Sequence, residues 1–409
     1  MWDRTLDAFM SHLIKTGRLG LTYPDGLTRY YGDGSEPKVA ITLHEASLPR
    51  KLVMAPELAT GEAYVDGSLT IEGDDLYGFL QLAVQNLATQ GQPWFRTPLT
   101  WLRHIGRSVH QFNPVKLARQ NVAHHYDLSG QLYDLFLDKD RQYSCAYFAE
   151  PTMTLEEAQA AKKHHIANKL LIEPGMRVLD IGCGWGGMGL TLASDFGAQV
   201  VGVTLSEEQH ALASQRADAA GLSDKVSFRL MDYRHVSGKF DRIVSVGMFE
   251  HVGVPHYGEY FGKVRSLLEE EGIALIHTIG RADGPGATSP WINKYIFPGG
   301  YVPAMSEAIK FVEKRDLIAT DVEVWRLHYA ETLRHWYERF MANIDQAREI
   351  YDERFCRMWR YYLLACEFSF RFDKQVVFQF QLAPKQCNVP LTRDYLYPSE
   401  TPLVQREAG

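Results

Sequence analysis

Short apolar runs alternate with longer amphipathic stretches through the middle of the chain. The stretch Thr154-Leu-Glu-Glu157 is a capping box, in which the threonine accepts from free helix amides and the glutamate reaches back, so it predicts a helix to about residue 172. Further helices are predicted after the second strand, where Ser206 can act as the cap, and near 256–268. The predicted strands are 177–181, 199–205, 226–231, 242–248 and 272–279. This alternation predicts a parallel sheet with helices on both faces, in an α/β core over about 150–280.

The pattern becomes irregular after this core. Residues 281–321 are punctuated by proline and glycine and rich in aromatic side chains, and helical sequence over 331–366 then separates two apolar runs at 322–329 and 375–382. These runs predict two strands that add an antiparallel edge to the parallel sheet. The 281–321 segment is then expected to cover the carboxyl edge of the sheet as a lid.

The first part of the chain lacks the regular alternation of strands and helices. Residues 1–120 carry short mixed elements, with turn sequences at Tyr23-Pro-Asp-Gly26 and Gly32-Asp-Gly34 and a break at Asn113-Pro114. We therefore expect one domain over 1–120 and a second over 121–409, with the lid at about 281–321 inside the second.

Composition limits the class of protein. The chain has 409 residues, of which 45% are hydrophobic, enough for sizeable cores. Its five cysteines include no C-x-x-C pair, so neither a disulfide framework nor a zinc site is indicated, and a reducing cytoplasm is expected. No signal-peptide core and no apolar run long enough to span a bilayer is present in the sequence, so neither export nor membrane insertion is expected.

The net charge of -7 hides one basic region, because residues 76–126 contain no acidic residue. The cations of this window are interleaved with aromatic side chains: Arg96, Arg103, Arg107, Lys116 and Arg119 with Trp94, Phe95, Trp101 and Phe112. The mixture suits an anionic lipid surface, and it also suits nucleic acid or an ordinary solvated basic face. Charge alone does not distinguish these three roles of the basic window.

A glycine-rich turn, VLDIGCGWGG at 178–187, joins the first predicted strand to a helix. Glycines there let the backbone approach a ligand at the edge where open α/β sheets bind ligands. The turn also satisfies G-x-G-x-x-G, but a dinucleotide site expects an acid at the end of the second strand, where the sequence is GVTLS. Because Asp180 lies just before the glycines and can balance a cation, a positively charged nucleoside is favoured over NAD and an oxidoreductase.

LDIGCGWGG resembles the cofactor loop of class I S-adenosylmethionine-dependent methyltransferases. The stretches GVTLSEEQ, SVGMFEHVG, IHTIG, INKYIFPGG and YSCAYF together resemble cyclopropane-fatty-acid synthases. The resemblance is strong over about 121–366 and weaker before it, where LATGEAYVDG at 58–67 is the best match. It implies a Rossmann-like seven-stranded methyltransferase sheet, preceded by a mainly helical N-terminal domain that contacts lipid and can support a homodimer.

The resemblance also implies the chemistry. In this family a methyl group passes from S-adenosylmethionine to the cis double bond of an unsaturated acyl chain in membrane phospholipid, and a bound bicarbonate deprotonates the resulting carbocation so that a cyclopropane ring closes. Carried over by motif, the catalytic residues are Cys145, Glu250, His277, Ile279 and Tyr329, with no metal. Cys145 is implied to act chiefly through its backbone. Topology independently places Glu250 and His277 at one sheet edge, since each lies at the end of a neighbouring predicted strand.

The same resemblance implies a set of cofactor-binding residues. They come from four motifs: Tyr143 and Ser144 before the cysteine, Gly182 and Gly184 in the loop, Thr204 and Gln209 after the second strand, and Asp232 with Tyr233 after the third. Without the family, Asp232 is equally well explained as a turn residue at a strand end. The stretch His125-Tyr-Asp127 resembles a further family motif, HYD, and receives only a supporting role.

The basic window alone is compatible with a lipid surface, nucleic acid or a solvated face. A substrate within the bilayer favours the lipid surface. We expect a cytoplasmic protein that associates peripherally with the inner face of the membrane and does not bind nucleic acid. A lipid C-methyltransferase giving a methylene- or methyl-branched product remains an alternative, because ACEFSFR at 365–371 is bulkier and more acidic than the synthase version. A non-catalytic lipid-binding module has no need for both the cofactor loop and the Glu250 and His277 pair.

Overall fold

The computed structural model describes residues 1–90 and 130–397. Most of the basic window, with Arg103 and Arg107, and the HYD motif at 125–127 lie outside the described residues. The search for membrane-crossing helices, made over the described part of the chain, finds none with the necessary length and apolar character.

The N-terminal part combines four helices with a small sheet. The helices are α1 Trp2–Leu13, α2 Leu48–Met54, α3 Pro56–Asp66 and α4 Leu76–Gln90. The strands are β1 Arg18–Thr22, β2 Thr28–Tyr31, β3 Lys38–Leu43 and β4 Leu69–Ile71, in the order β2-β1-β3-β4. The sequence pattern did not predict this sheet, because its strands are short and one of them pairs in parallel across a long separation in the chain.

A seven-stranded sheet forms the centre of the second part. Its strands are β5 Arg177–Ile181, β6 Gln199–Thr204, β7 Val226–Leu230, β8 Phe240–Val246, β9 Leu268–Arg281, β10 Ile318–Trp325 and β11 Gln375–Ala383. The order is β10-β11-β9-β8-β5-β6-β7, and β11 runs antiparallel to both of its neighbours. The predicted α/β class, the seven strands and the antiparallel edge are thus confirmed.

Helices cover both faces of this sheet. The helices of this second part, within the described residues, are α5 Gly130–Asp134, α6 Leu155–Leu170, α7 Gly187–Ser194, α8 Glu207–Ala219, α9 Tyr257–Leu267, α10 Pro290–Tyr295, α11 Met305–Val312, α12 His328–Ala342, α13 Ile344–Ile350 and α14 Glu353–Phe372. The capping box at Thr154 is present, with the Glu157 amide donating to Oγ1 and the Thr154 amide donating to the glutamate. Ser206 likewise caps α8 through the Gln209 amide.

Two predictions after the core were wrong in detail. The expected strand over 322–329 is β10 at Ile318–Trp325, so Tyr329 lies in the first turn of α12. The expected single helical stretch over 331–366 is three helices, and the last begins at a new cap, where Asp352 accepts from the Phe355 amide. The apolar residues of VEVWRLHY suit a strand, but the chain turns after Trp325 and helical backbone bonding begins, with the Glu331 amide donating to the Leu327 carbonyl at 3.0 Å.

The N-terminal part packs on α10 and α14. A Cβ at position 61 of α3 would overlap the indole of Trp291 in α10, so only glycine allows this approach. The Arg357 guanidinium of α14 donates to the Tyr64 carbonyl at 2.8 Å, and Lys294 of α10 pairs with Glu62. The LATGEAYVDG stretch, which forms most of α3, therefore holds the two parts of the chain together.

Candidate active site

Two cavities lie at the carboxyl edge of the large sheet and share a wall. The larger cavity, of about 170 Å³, lies beyond the ends of β5, β6 and β8. The smaller cavity, of about 100 Å³, lies beside the end of β9 and under the 281–321 segment. Four residues line both: Tyr143, Ser144, Gly247 and His251. A ligand in one cavity is thus separated from a ligand in the other by a few side chains at most.

The glycine loop forms the floor of the larger cavity. Gly182 and Gly184 have φ values of +81° and +53°, in the left-handed region that favours glycine. The Gly182 amide donates to the Val203 carbonyl at 2.9 Å, and a Cβ at 182 would lie 3.0 Å from the Met248 side chain. The loop thereby brings its backbone close to the cavity, as the sequence indicated.

Asp180, at the end of β5, is 2% exposed and lines the larger cavity. Its Oδ2 has no hydrogen-bond partner among the described residues. Burial raises the pKa of this carboxyl to about 7. A buried carboxyl oxygen without a partner is costly, so the position fits a ligand that brings a donor or a positive charge.

The polar residues after β6 and β7 also line the larger cavity. The Thr204 hydroxyl donates to the Gln209 side-chain carbonyl at 2.9 Å. The Asp232 carboxylate accepts from the Arg234 backbone amide and guanidinium at 2.7 to 2.9 Å. Burial alone would raise the pKa of Asp232, but the bonds from Arg234 outweigh it and hold the pKa below its usual value. Asp232 is therefore also the turn residue that its position at a strand end allowed.

The remaining predicted cofactor residues complete this lining. The Tyr143 hydroxyl lies 2.8 Å from the Tyr362 hydroxyl, and its ring stacks on Trp336. Ser144 Oγ accepts from the buried Lys162 ammonium at 2.8 Å. Burial raises the pKa of Tyr233, which stays a neutral phenol. All eight residues predicted for the cofactor line the larger cavity.

The five predicted catalytic residues line the smaller cavity. Glu250, in the turn after β8, is 9% exposed, and its Oε1 accepts from the Ile279 amide at 2.7 Å. Its Oε2 has no partner among the described residues, and burial raises the pKa of the carboxyl to about 7. The Ile279 amide is thus used in holding Glu250.

His277 lies in β9 and is 2% exposed. Burial, reinforced by the charge of Lys162, lowers the pKa of the imidazole well below its ordinary value, so the ring is neutral. The side-chain amide of Gln379 donates to Nδ1 at 3.0 Å, and the indole of Trp325 packs edge-on against the ring. A neutral ring that accepts at Nδ1 carries its proton on Nε2.

Cys145 and Tyr329 supply the opposite wall of the smaller cavity. Cys145 is fully buried, its thiol donates to the Ala146 carbonyl, and burial raises the pKa of the thiol far above its ordinary value. A thiol of this kind is a poor nucleophile. Tyr329 packs against Phe370, with ring centres 4.9 Å apart, so the 365–371 stretch that departs from the synthase pattern reaches this wall indirectly.

Comparison with known proteins adds the decisive observation. Residues 114–380 match the family described as mycolic acid cyclopropane synthetase. The chain belongs to this family. Residues 5–90 match a second family, described as a domain of unknown function, DUF7884.

Individual members of the family are similar over most of the chain. The cyclopropane-fatty-acyl-phospholipid synthase of Escherichia coli K12 is 40% identical over 339 residues, covering 83% of this chain and 86% of that protein. Tuberculostearic acid methyltransferase of Mycobacterium tuberculosis is 37% identical over 379 residues, covering 89% and 87%. The solved structure of the mycolic acid cyclopropane synthase CmaA1 with SAH and CTAB is 33% identical, with a TM-score of 0.62 over 66% of this chain and 99% of that one.

The family member described here is an S-adenosylmethionine-dependent methyltransferase of the cyclopropane-fatty-acyl-phospholipid synthase type. Its larger cavity fits that cofactor, because the glycine loop leaves room for a close approach and the unpartnered Asp180 suits a cationic ligand. Sequence reasoning noted Asp180 but left it out of the predicted set. It missed Gln379 and Lys162 altogether, since neither lies in a recognisable motif and only the folded chain brings them to the site.

Proposed function

We propose that this methyltransferase acts on the cis double bond of an unsaturated acyl chain in membrane phospholipid and closes a cyclopropane ring. The observation that carries the proposal is the shared wall between the two cavities, which juxtaposes a cofactor site with a small, mostly apolar chamber that Glu250 and His277 line. The relatives named for cyclopropane-fatty-acyl-phospholipid synthesis and for cyclopropane mycolic acid synthesis support it.

The residues of the larger cavity hold the cofactor in this proposal. S-adenosylmethionine, when bound, supplies the electrophilic methyl group. Gly182 and Gly184 allow the close approach, Asp180 offers an unpaired oxygen to a cationic group, and Thr204 with Gln209 fixes the polar end of the cavity. An alkene is a weak nucleophile, so the main contribution of the protein is to position it and exclude water.

The walls of the smaller cavity suit a developing carbocation. Aromatic faces of Tyr143, Phe297, Tyr301 and Tyr329 line it, and such faces stabilise a cation electrostatically without bonding to it. Two of these four residues come from the 281–321 segment, which is the role we propose for that segment as a lid.

A proton must leave the transferred methyl group for the ring to close. Bicarbonate, when bound, supplies the base. Glu250 Oε2 is buried and unpartnered, so it can accept from the hydroxyl of bicarbonate, and the neutral His277 with its proton on Nε2 can donate to an ionised oxygen of the same ion. The backbone at Cys145 closes the wall, and its thiol needs no role in bond making.

A methylene- or methyl-branched product is the second candidate. The tuberculostearic acid methyltransferase relative favours it, at 37% identity over 89% of this chain. The departure at 365–371 acts through packing: Glu367 is tied to Arg334 and Arg371, and Phe370 presses on Tyr329. If this packing moves the Tyr329 ring, the shape of the smaller cavity, in which the cation loses its proton, changes with it.

Access to the substrate requires contact with a bilayer. We propose that the basic, aromatic window at 76–126 provides it at the inner face of the membrane, since anionic headgroups attract each cation by about 1 kcal/mol. A homodimer, implied by the family, stays a prediction.

The test is direct product analysis. The protein is incubated with methyl-labelled S-adenosylmethionine and vesicles of unsaturated phospholipid, and the lipids are examined by mass spectrometry and proton NMR. Cyclopropyl protons are the expected result. A vinylidene or branched-methyl signal selects the second candidate, and the absence of label in lipid rejects both.

A further inference from the structure

The smaller cavity lacks a positive charge of its own. Within the described residues its lining contains no lysine or arginine. Its two histidines are uncharged, because burial lowers the pKa of His251 to about 4 and that of His277 well below its usual range. Glu250 adds an acidic group. An oxyanion placed there needs compensation from outside the lining, because a buried charge without a counter-charge is strongly disfavoured.

One buried lysine stands directly behind this lining. Lys162, on α6, is 0% exposed, and its ammonium donates to Ser144 Oγ at 2.8 Å and to Gln142 Oε1 at 2.7 Å. Both acceptors are neutral. Within the described part of the chain no carboxylate is in ion-pair contact with the ammonium, and the buried Asp138 raises its pKa from a greater distance. Burial lowers the pKa of Lys162 to about 8, so the charged form still predominates at neutral pH.

The neighbouring lysines of α6 are different. Lys169 is also 0% exposed, but its ammonium pairs with Glu323 at 2.5 Å. Lys163 pairs with Asp140 at 2.6 Å. These two lysines are in direct ion pairs, whereas Lys162 has only the longer-range attraction of carboxylates such as Asp138, so its charge also acts on the smaller cavity.

Lys162 also reaches the smaller cavity through its contacts. Ser144, which it holds, lines both cavities, and Cys145 follows directly. Gln159, on the same helix, donates to the carbonyls of Gln142 and Ser144, so the segment 142–145 is fixed from α6 at several points. The ammonium lowers the pKa of both Cys145 and His277, two residues that line the smaller cavity.

We infer that Lys162 is a positioning residue for the anion site: it anchors the segment 142–145 and supplies the positive charge that draws a small oxyanion into the smaller cavity. The inference rests on the proposed function, in which that oxyanion is bicarbonate. It assigns a role to a buried lysine that the methyl-transfer chemistry does not otherwise use.

The test compares bicarbonate binding in four proteins: wild type, Lys162→Met, Lys162→Gln, and Lys163→Met as the matched control on the same helix. Binding of ¹³C-labelled bicarbonate is titrated by NMR without lipid, and S-adenosylmethionine affinity is measured by calorimetry. Both Lys162 variants are expected to bind bicarbonate at least about tenfold more weakly, because each removes the charge. Lys163→Met should stay within about twofold of wild type, since its charge is already paired with Asp140.

Lys162→Gln separates charge from hydrogen bonding, because its amide can still donate to Ser144. A folded Gln variant with wild-type bicarbonate affinity would overturn the inference while leaving the proposed function intact. A wild-type protein that binds no bicarbonate would instead reject the anion site itself, and this role of the lysine with it.

Discussion

The side-chain amide of Gln379 lies 3.0 Å from Nδ1 of His277, and the two residues face each other across the antiparallel strands β11 and β9. Gln379 is fully buried, so this bond has no competition from water. The amide donates, which fixes the imidazole proton on Nε2. Gln379 thereby sets which nitrogen of His277 can donate to a ligand.

Replacing Gln379 with leucine should remove the hydrogen bond that fixes the tautomer of His277. We expect kcat to fall at least about tenfold, because a mixture of tautomers no longer presents a uniform donor. Nitrogen NMR of the imidazole should show the change in protonated nitrogen. Gln381→Leu is the matched control, since Gln381 is a buried amide on the same strand that bonds to the Lys169 carbonyl and not to His277. Equal losses of activity in the two variants, with unchanged imidazole spectra, would contradict the prediction.

Asp180 should make the ligand-free protein sensitive to pH. Its pKa in the fold is about 7, raised by burial from 3.8, so its contribution to stability is fully present below about pH 4 and is lost as the pH rises through about 7. Asp180→Asn should remove that part of the pH dependence and weaken S-adenosylmethionine binding. Urea unfolding at pH 5 and pH 8 measures the first effect and calorimetry the second. Parallel stability curves for variant and wild type would argue against the assigned pKa.

Glu250 and Cys145 should respond very differently to near-isosteric changes. Glu250→Gln keeps an oxygen for the Ile279 amide but loses the titratable group, so we expect methyl transfer to drop by about 100-fold or more. Cys145→Ser should keep substantial activity, because the buried thiol is protonated and we propose that the position acts through its backbone. Initial rates at saturating S-adenosylmethionine give the comparison. A larger loss of activity in Cys145→Ser than in Glu250→Gln would indicate that the sulfur takes part in the mechanism.

Local sequence signals predicted what depends on local structure. The Thr154 capping box and the Ser206 cap are present, and the parallel strands lie close to their predicted bounds. Tyr329 was assigned to a strand because it ends the apolar run 322–329, whereas the folded chain places it in the first turn of α12. Gln379 could not be predicted from the sequence, because only the strand register brings it to His277. Lys162 could not be predicted either, because no local pattern shows that a lysine is buried. The predicted site residues gather around two adjoining cavities, and their individual roles stay predictions.

The basic window leads to a prediction about membranes. Reversing the charge of Arg103 and Arg107 to glutamate should weaken binding to anionic vesicles by at least about 2 kcal/mol, or roughly thirtyfold. The measurement is cosedimentation with vesicles containing anionic phospholipid. Reversal of Lys310 and Lys314, which are exposed, changes the net charge equally and should have a smaller effect. Unchanged sedimentation of the Arg103 and Arg107 variant would reject a role for this window in membrane binding.

Gly61 and Trp291 should couple the N-terminal part to the smaller cavity. Gly61→Ala drives a methyl group into the indole of Trp291, and overpacking of this kind costs about 1–3 kcal/mol. Trp291 belongs to α10, whose Ile292 lines the smaller cavity, so displacement of α10 should also lower methyl transfer. Combining Gly61→Ala with Trp291→Phe makes room for the new methyl group and should recover part of both losses. Urea unfolding and product formation on the two single variants and the double variant test this. Strictly additive losses would mean that the two positions do not communicate.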